Sequence, residues 1–433
     1  MEDTIFAEAT ARGRAGVAII RVSGPRARVA AAALAGTLPE PHRAALRTFR
    51  SGDDLIDHGL LILFPEGASF TGEEVVEFHV HGSLAITRAL LEALGRIEGL
   101  RPAAPGEFTR RALLNGRLDL AQVEGLSDLI AAETEAQRKQ AIRVFSGELG
   151  GKVGMWRKDL VEIAAHVEAL IDFSDEDVPA TLPEALIARL DGVRESLEAA
   201  LRGSAAAERI REGFEVAIIG APNVGKSSLL NHLAGREAAI VSDVPGTTRD
   251  VIEVRLELAG LPVTLLDTAG LHEPGDEIER IGIERARARA EAADLRLILL
   301  EHDGELPEGV MPDPDDLIVI TKTDLTEQPP VHGIGISSRT GAGIDRLLSA
   351  IGERLSAKAA GASLVTTQRQ RHAVSEALRS IEAAQQFVSR VDEHPEILAE
   401  HLRGAITALE MLIGKVDVEH LLDDIFSRFC IGK

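Results

Sequence analysis

The stretch Phe214-Glu215-Val216-Ala217-Ile218-Ile219-Gly220-Ala221-Pro222-Asn223-Val224-Gly225-Lys226-Ser227-Ser228-Leu229-Leu230 decides the fold. Its opening is an apolar run of strand length. Its end begins a segment, through Ala234, whose apolar positions recur at helical spacing. Strand, glycine loop and helix in that order form the context a phosphate-binding loop needs. Successive backbone N–H groups curl round a phosphate, and the helix N-terminus adds its positive end. Gly220 and Gly225 permit the tight backbone path. The reading assigns nucleotide contacts to Asn223, Val224, Gly225, Lys226, Ser227 and Ser228. Lys226 would reach the β- and γ-phosphates, and the Ser227 hydroxyl would hold Mg²⁺.

Further motifs follow in order. Val263-Thr264-Leu265-Leu266 reads as a strand ending in Asp267-Thr268-Ala269-Gly270. There Asp267 would hold Mg²⁺ through water and the Gly270 N–H would touch a γ-phosphate. Thr247-Thr248 lies between the two loops, where a threonine can bind Mg²⁺ only when the γ-phosphate is present. The strand Leu317-Ile318-Val319-Ile320 leads into Thr321-Lys322-Thr323-Asp324, and an Asp there accepts both N1–H and N2–H₂ of guanine. Ser337-Ser338 follows a last strand, Gly333–Ile336. Together these resemble the translation-factor-related class of GTPases.

Three departures from that class are informative. Thr321 stands where Asn is usual, giving a hydroxyl but no amide, so a weaker brace is expected. The connection 301–316 is Pro-, Gly- and Asp-rich, which predicts a truncated or missing crossover helix, where about a dozen or more residues and usually a helix are the norm. Leu271 follows the Asp-x-x-Gly where Ras-like enzymes carry a water-orienting Gln. Some other group must then supply charge and place the water. Asn223 could hold a monovalent cation acting as an arginine finger does, and Glu279 could orient the water or be a surface carboxylate.

Outside this segment the chain changes character. Its 433 residues exceed one compact core, and its net charge of −22 argues against a whole-surface grip on nucleic acid while leaving local basic patches open. A single cysteine, Cys430, excludes an intrachain disulfide framework and suits a reducing cytosol. Met1-Glu2-Asp3-Thr4 lacks signal-peptide order, and no apolar run approaches ~18 residues, so a cytoplasmic chain without a membrane span is expected. Residues 1–118 read as mixed α/β, with strands at 17–22, 60–64 and 75–81 and a helix over 83–94. Glu77, His79 and His81 share a strand face, open to a metal or, as a plain polar face, to a pocket or solvent. The arginines of Gly106–Leu120 could grip an anion or line a solvated helix. Residues 119–210 turn helical, with Leu160, Ile163, Ala164, Val167, Leu170 and Ile171 in phase and breaks at Pro179 and Pro183. The same character returns over 358–433, with helices at 374–387, 397–412 and 418–429. The expected fold class is α/β and α: an N-terminal α/β domain, a helical domain discontinuous in sequence, and a Ras-like P-loop GTPase domain over 211–357 inserted into it.

Longer stretches carry a closer likeness. Asp3–Ile5, Gly16–Gly24, Phe70–Glu77, Phe108–Leu120, Ile171–Phe173, Val241–Asp250, Asp276–Arg285 and the ending Phe429-Cys430-Ile431-Gly432-Lys433 resemble the MnmE (TrmE) family of tRNA uridine-modification GTPases. The resemblance spans all three domains. It implies an N-terminal domain that binds tetrahydrofolate (5-formyl or methylene form) and dimerises, and a homodimer that pairs with an FAD-binding MnmG (GidA) flavoprotein. It implies an aminomethyl-type group installed at C5 of the wobble uridine of certain tRNAs. By the same match Arg21, Glu77, Arg117 and Lys433 would contact folate. K⁺ would be held by Asn223, Ser242, Val244 and Thr247, and Mg²⁺ by Ser227 and Thr248. Glu279 matches the family's water-orienting glutamate. Arg117 stands where the family often has Lys, and His79-Val80 depart from its Gln-Gly type sequence. Cys430 could attack C6 of uridine, with Lys433 favouring its thiolate, or simply pack beside the folate pocket. Two rivals, a ribosome-assembly GTPase and a membrane-associated switch, would need a basic RNA-binding module or a lipid anchor, and neither is visible.

Overall fold

The computed structural model describes residues 3–172, 181–236, 253–267, 291–301, 304, 306, 311–326, 330–415, 426 and 432. They form two compact units: Met1–Ser127 with Gly150–Gly154 and Leu409–Lys433, and Asp128–Leu149 with Met155–Ala408.

The first unit is built on a six-stranded sheet. Its strands are β1 (Thr4–Glu8), β2 (Ala15–Ser23), β3 (Ala45–Ser51), β4 (Asp54–Phe64), β5 (Val75–Gly82) and β6 (Leu100–Pro102), in the spatial order β3-β4-β5-β2-β1-β6. Strand alternation puts Ala18, Ile20 and Val22 of β2 and Val76, Phe78 and Val80 of β5 on one buried face. Helices α1 (Ala27–Ala35) and α2 (Leu84–Gly95) cover that face with Ala27, Ala30, Leu34, Leu90 and Leu94. Ser83 begins α2 as its N-cap, accepting from the Ala85 N–H. The strands and helix expected from sequence are all present. The reading misses β1, β3 and β6: β6 is three residues long, and only Phe49 of β3 is buried, so neither has a period to detect.

Helix α3 (Glu107–Leu114) packs Phe108 with Ile5 and Ala7, which come from β1. Arg111, on this helix, is fully buried. Its guanidinium donates to the Asp3 carbonyl (3.0 Å) and to the carboxylates of Asp3 (3.0 Å), Glu73 (3.1 Å) and Glu107 (3.1 Å). Arg111 is therefore an internal tie and not the anion grip considered above, because its planar fork is already filled by carboxylates. Arg101 adds a second fork on Glu107 and Asp3, and Ser23 donates to Glu73.

Helices α4 (Leu120–Ala131), α5 (Glu135–Phe145), α6 (Glu148–Asp172), α7 (Glu184–Arg202) and α8 (Ser204–Glu212) follow. Pro183 caps α7, so the predicted break stands at its start. Pro179 lies outside the described residues. After the nucleotide segment come α11 (Gln368–Val388) and α12 (Pro395–Leu412). Helix α7 packs on α11, where Gln385 donates to Asp191, and the Ser363 N–H donates to the Gly203 carbonyl at 3.0 Å. The two chain crossings thus meet on one helical body, as an inserted domain requires. The helix expected over 418–429 lies outside the described residues apart from Phe426.

The inserted segment has its own sheet of β7 (Phe214–Gly220), β8 (Glu253–Leu258), β9 (Leu261–Asp267), β10 (Leu295–Leu300), β11 (Leu317–Ile320) and β12 (Ile334–Gly335). The order is β12-β11-β10-β7-β9-β8, all parallel except β8. Helices α9 (Lys226–Ala234) and α10 (Ile344–Ala359) contribute Leu229, Leu230, Leu233, Leu347 and Ile351 to its core. Among the described residues of 301–316 there is no helix. Arg296 instead forks onto Asp316 and donates to the Met311 carbonyl, stitching this connection to β10.

Removing Arg111 would leave three carboxyl groups facing one another without their cation. Arg111→Ala is expected to destabilise the chain by about 3–5 kcal/mol in urea denaturation, the cost of breaking a buried ion pair from one side.

Candidate functional site

The parallel strands β7, β9, β10 and β11 end on one edge of their sheet, and the loops there build the site. β7 is buried on both faces, so its end at Gly220 is fixed. The chain then turns through Asn223 at φ +62 and Gly225 at φ +110 into α9. That left-handed value at Gly225 is one that glycine adopts without strain. Lys226, nearly buried, donates through Nζ to the Gly220 carbonyl (2.6 Å) and the Ala221 carbonyl (3.0 Å). Burial pushes its ammonium below the usual lysine range, against the pull of Asp267. Ser227 Oγ donates to Asp267 Oδ2 at 3.3 Å, so the two oxygens assigned to Mg²⁺ converge from different loops. Hard oxygen donors on a hydroxyl and a carboxylate suit that ion.

Thr321, just after β11, ties this loop to that strand. Its hydroxyl, buried, donates to the Val224 carbonyl at 2.7 Å, and its N–H donates to the Leu300 carbonyl at 2.8 Å. With Thr in the place of Asn, a hydroxyl makes the link to this loop. Lys322 follows at φ +57, with its ammonium on Glu301. Asp324 receives a hydrogen bond from Ser337 Oγ (2.7 Å) and an ion pair from Arg339 (2.8 Å). The Ser337 bond, with the Arg339 charge, holds its carboxyl below the usual range and so ionised, as an acceptor for two guanine N–H groups must be. Ser337 is fully buried and Ser338 half-buried beside it. Ser228, in the first turn of α9, is exposed. Ser242, Val244, Thr247, Thr248, Thr268, Ala269, Gly270 and Glu279 lie outside the described residues.

A second constellation sits in the first unit. Arg21 and Glu77 are cross-strand partners in register, with Arg21 Nε donating to Glu77 Oε1 at 3.0 Å. The Arg21 guanidinium lies over the rings of Phe70 (5.6 Å) and Phe108 (5.7 Å). His79 Nε2 bonds the other Glu77 oxygen at 3.3 Å, and His81 bonds Asp57 instead. Burial raises the Glu77 carboxyl, but His79 and Arg21 outweigh it and the net direction is down. Among the described residues no group of three His, Cys, Asp or Glu side chains is placed to hold a metal. Arg117 is exposed, and its stem lies over Gly72. Gly432, at φ +100, packs so closely on Glu8 that any Cβ would overlap the Glu8 carbonyl oxygen. Glu8 follows Ala7, and Ala7 is the β1 partner of Arg21, so Gly432 lies beside this pair. Cys430 and Lys433 lie outside the described residues. The sequence reading missed Phe70 and Phe108 as the aromatic walls of Arg21, since single phenylalanines carry no spacing signal.

Family models match as MnmE helical domain over residues 120–430 and as GTP-binding protein TrmE N-terminus over residues 4–117. The tRNA modification GTPase MnmE of Cereibacter sphaeroides is 54% identical over all of both chains, and that of Dinoroseobacter shibae is 57% identical over all of both. The chain belongs to the MnmE family of tRNA modification GTPases. Membership accounts for the whole length, the N-terminal sheet and tail as well as the nucleotide loop. Among solved structures, Aquifex aeolicus Era bound to GDP and an aluminium fluoride is 28% identical, covers 32% of this chain and 56% of that one, and has a TM-score of 0.25.

Thr321 gives a direct test. Thr321→Val keeps the shape and removes the donor, leaving the Val224 carbonyl buried and unpaired. GDP affinity, read with a fluorescent nucleotide, is expected to fall about tenfold, while Thr321→Ser stays within about twofold, in line with a net cost of about 1–3 kcal/mol for the orphaned carbonyl.

Proposed function

We propose that this chain is a K⁺-stimulated, Mg²⁺-dependent GTPase that acts with an FAD-binding MnmG-type flavoprotein on C5 of the wobble uridine of certain tRNAs. The observation that carries the reading is the family match over the entire chain, N-terminal domain and tail included. GTP hydrolysis in tRNA modification is the enzyme class of that family.

Lys226, Ser227 and the N–H groups of 223–228 would hold the phosphates, with Asp267, Thr268, Ala269 and Gly270 closing on the γ-phosphate. Asp324, oriented by Ser337, would select guanine, with Lys322 and Ser338 at the base. Ser227 and Thr248 would hold Mg²⁺. Asn223 with Ser242, Val244 and Thr247 would hold K⁺, and Glu279 would orient the attacking water in place of the Gln that Leu271 replaces. Domain boundaries near 118, 210 and 357 follow from the same reading, as do a homodimer and a cytoplasmic location.

Arg21, Glu77, Arg117 and Lys433 would bind a tetrahydrofolate. The described part of that set fits: a carboxylate and a guanidinium joined in register and flanked by two phenyl rings offer an acceptor, donors and flat apolar walls to a pterin. When bound, the folate supplies a one-carbon unit. Glu77 orients it by accepting hydrogen bonds, and Phe70 and Phe108 exclude water. Cys430 is proposed as the nucleophile that adds to C6 of the uridine to make C5 reactive, its thiolate favoured by Lys433.

The test is nucleoside mass spectrometry of total tRNA from cells with the gene, without it, and carrying only Lys226→Ala. C5-aminomethyl-type wobble uridines are expected in the first and to fall sharply in the other two. An unchanged profile without the gene would overturn the reading.

A further inference from the structure

The hairpin joining β1 to β2 carries two arginines that the reading above does not use. Residues 11–17, Ala-Arg-Gly-Arg-Ala-Gly-Val, are all exposed. The base of the hairpin is closed by the Ala9 N–H donating to the Ile19 carbonyl (2.7 Å) and the Ile19 N–H donating to Thr10 Oγ1 (3.2 Å). Its returning limb runs beside β5, with Ala15 opposite Gly82. The tip is thus held at its root and open at its end, where nothing lies within 4 Å of a Cβ built on Gly13 or Gly16.

Arg12 and Arg14 differ from several arginines of this unit that are held in ion pairs. Arg21 is paired with Glu77, Arg28 with Glu74, Arg101 with Asp3 and Glu107, and Arg111 with three carboxylates. Among the described residues neither Arg12 nor Arg14 has an ion pair or a side-chain hydrogen bond. The chain as a whole is acidic, with a net charge of −22. Two free guanidinium groups on one short tip, separated by a glycine, therefore form a local positive point on an acidic molecule.

Their place in the fold gives that point a use. The root of the hairpin, Glu8 and Ala9, is where Gly432 packs, next to the Arg21–Glu77 pair. Arg12 stands four residues beyond Glu8, a reach of at most roughly 14 Å. A nucleotide whose base is brought to the folate proposed beside that pair would carry its neighbouring phosphates past the tip. A base acted on by an enzyme must leave its stack, and the backbone on either side then needs holding. Arginine suits phosphate through its planar fork of donors.

We infer that Arg12 and Arg14 grip the RNA backbone beside the uridine that is brought to that folate. The inference rests on the proposed function for its choice of RNA. Its test reads RNA binding separately from modification. Affinity of the full-length chain for an anticodon stem-loop is measured by fluorescence anisotropy across a range of KCl concentrations. The double variant Arg12→Ala/Arg14→Ala is expected to bind about tenfold more weakly. The slope of log affinity against log salt should become shallower by about 1.4–1.8, the loss of two phosphate contacts. Arg12→Lys/Arg14→Lys should keep most of the salt slope, and Arg12→Glu/Arg14→Glu should lose more affinity than the alanine pair. GTP hydrolysis is expected to be unchanged in all three.

Equal affinity and slope in the alanine variant would overturn the inference, as would a wild-type chain that binds no stem-loop. Loss of flavoprotein binding with RNA binding intact would assign the tip to a protein partner and also overturn it. A wild-type chain that binds the stem-loop through these arginines while cells keep their modified uridines without the gene would overturn the proposed function and leave the grip standing.

Discussion

One buried hydrogen bond, from the Thr321 hydroxyl to the Val224 carbonyl, joins the two halves of the nucleotide site. On one side is the loop that would wrap the phosphates. On the other is the strand end that would place Asp324 for the base. A nucleotide has a fixed distance between base and phosphate, so the two recognition elements must keep a fixed distance too. The parallel sheet sets it coarsely, through β7, β10 and β11 as neighbours. Thr321 sets it finely, because its own N–H is anchored to the Leu300 carbonyl of the strand between them. A hydroxyl has one proton to give and a carboxamide two. Threonine therefore serves the loop with its side chain and the sheet with its backbone.

The N-terminal unit is governed by a different constraint, the satisfaction of buried charge. Arg111 is fully buried yet faces Asp3, Glu73 and Glu107, and Arg101 shares two of them. Asp3 lies at the start of β1, Glu73 just before β5, and Glu107 on α3, so one guanidinium fixes three segments distant in sequence. With those fixed, Phe108 of α3 and Phe70 of the preceding loop stand over Arg21. Gly432 packs against Glu8, next to the β1 partner of Arg21. The surroundings of Arg21 are a consequence of this packing as much as of its own strand.

Much of this was legible in the sequence. The phosphate loop announces itself because its chemistry demands glycine, lysine and a hydroxyl at fixed offsets after a strand. Strands β2 and β5 and the long helices were readable because one face of each is apolar with a clear period. The short connection 301–316 was readable from its prolines and glycines, and its described residues form no helix. What escaped had no local signature. β6 has three residues, and β3 buries a single phenylalanine. Arg111 looks the same in sequence as Arg110, and only the folded arrangement of three remote carboxylates distinguishes it. Thr321 was readable as a departure from Asn, but whether its hydroxyl reached the loop depended on a distance that spacing cannot supply.

The central claim is that this sheet edge selects a guanine nucleotide through Asp324. Xanthine carries a C2 carbonyl where guanine carries an amino group, so an amide in place of the carboxylate should reverse the preference. The direct measurement is the affinity of wild type and Asp324→Asn for GDP and for xanthosine diphosphate under the same Mg²⁺ and K⁺. The account predicts strong preference for GDP in the wild type and for xanthosine diphosphate in the variant. A variant that keeps its preference for GDP would contradict it, since the base would then be read by some other group.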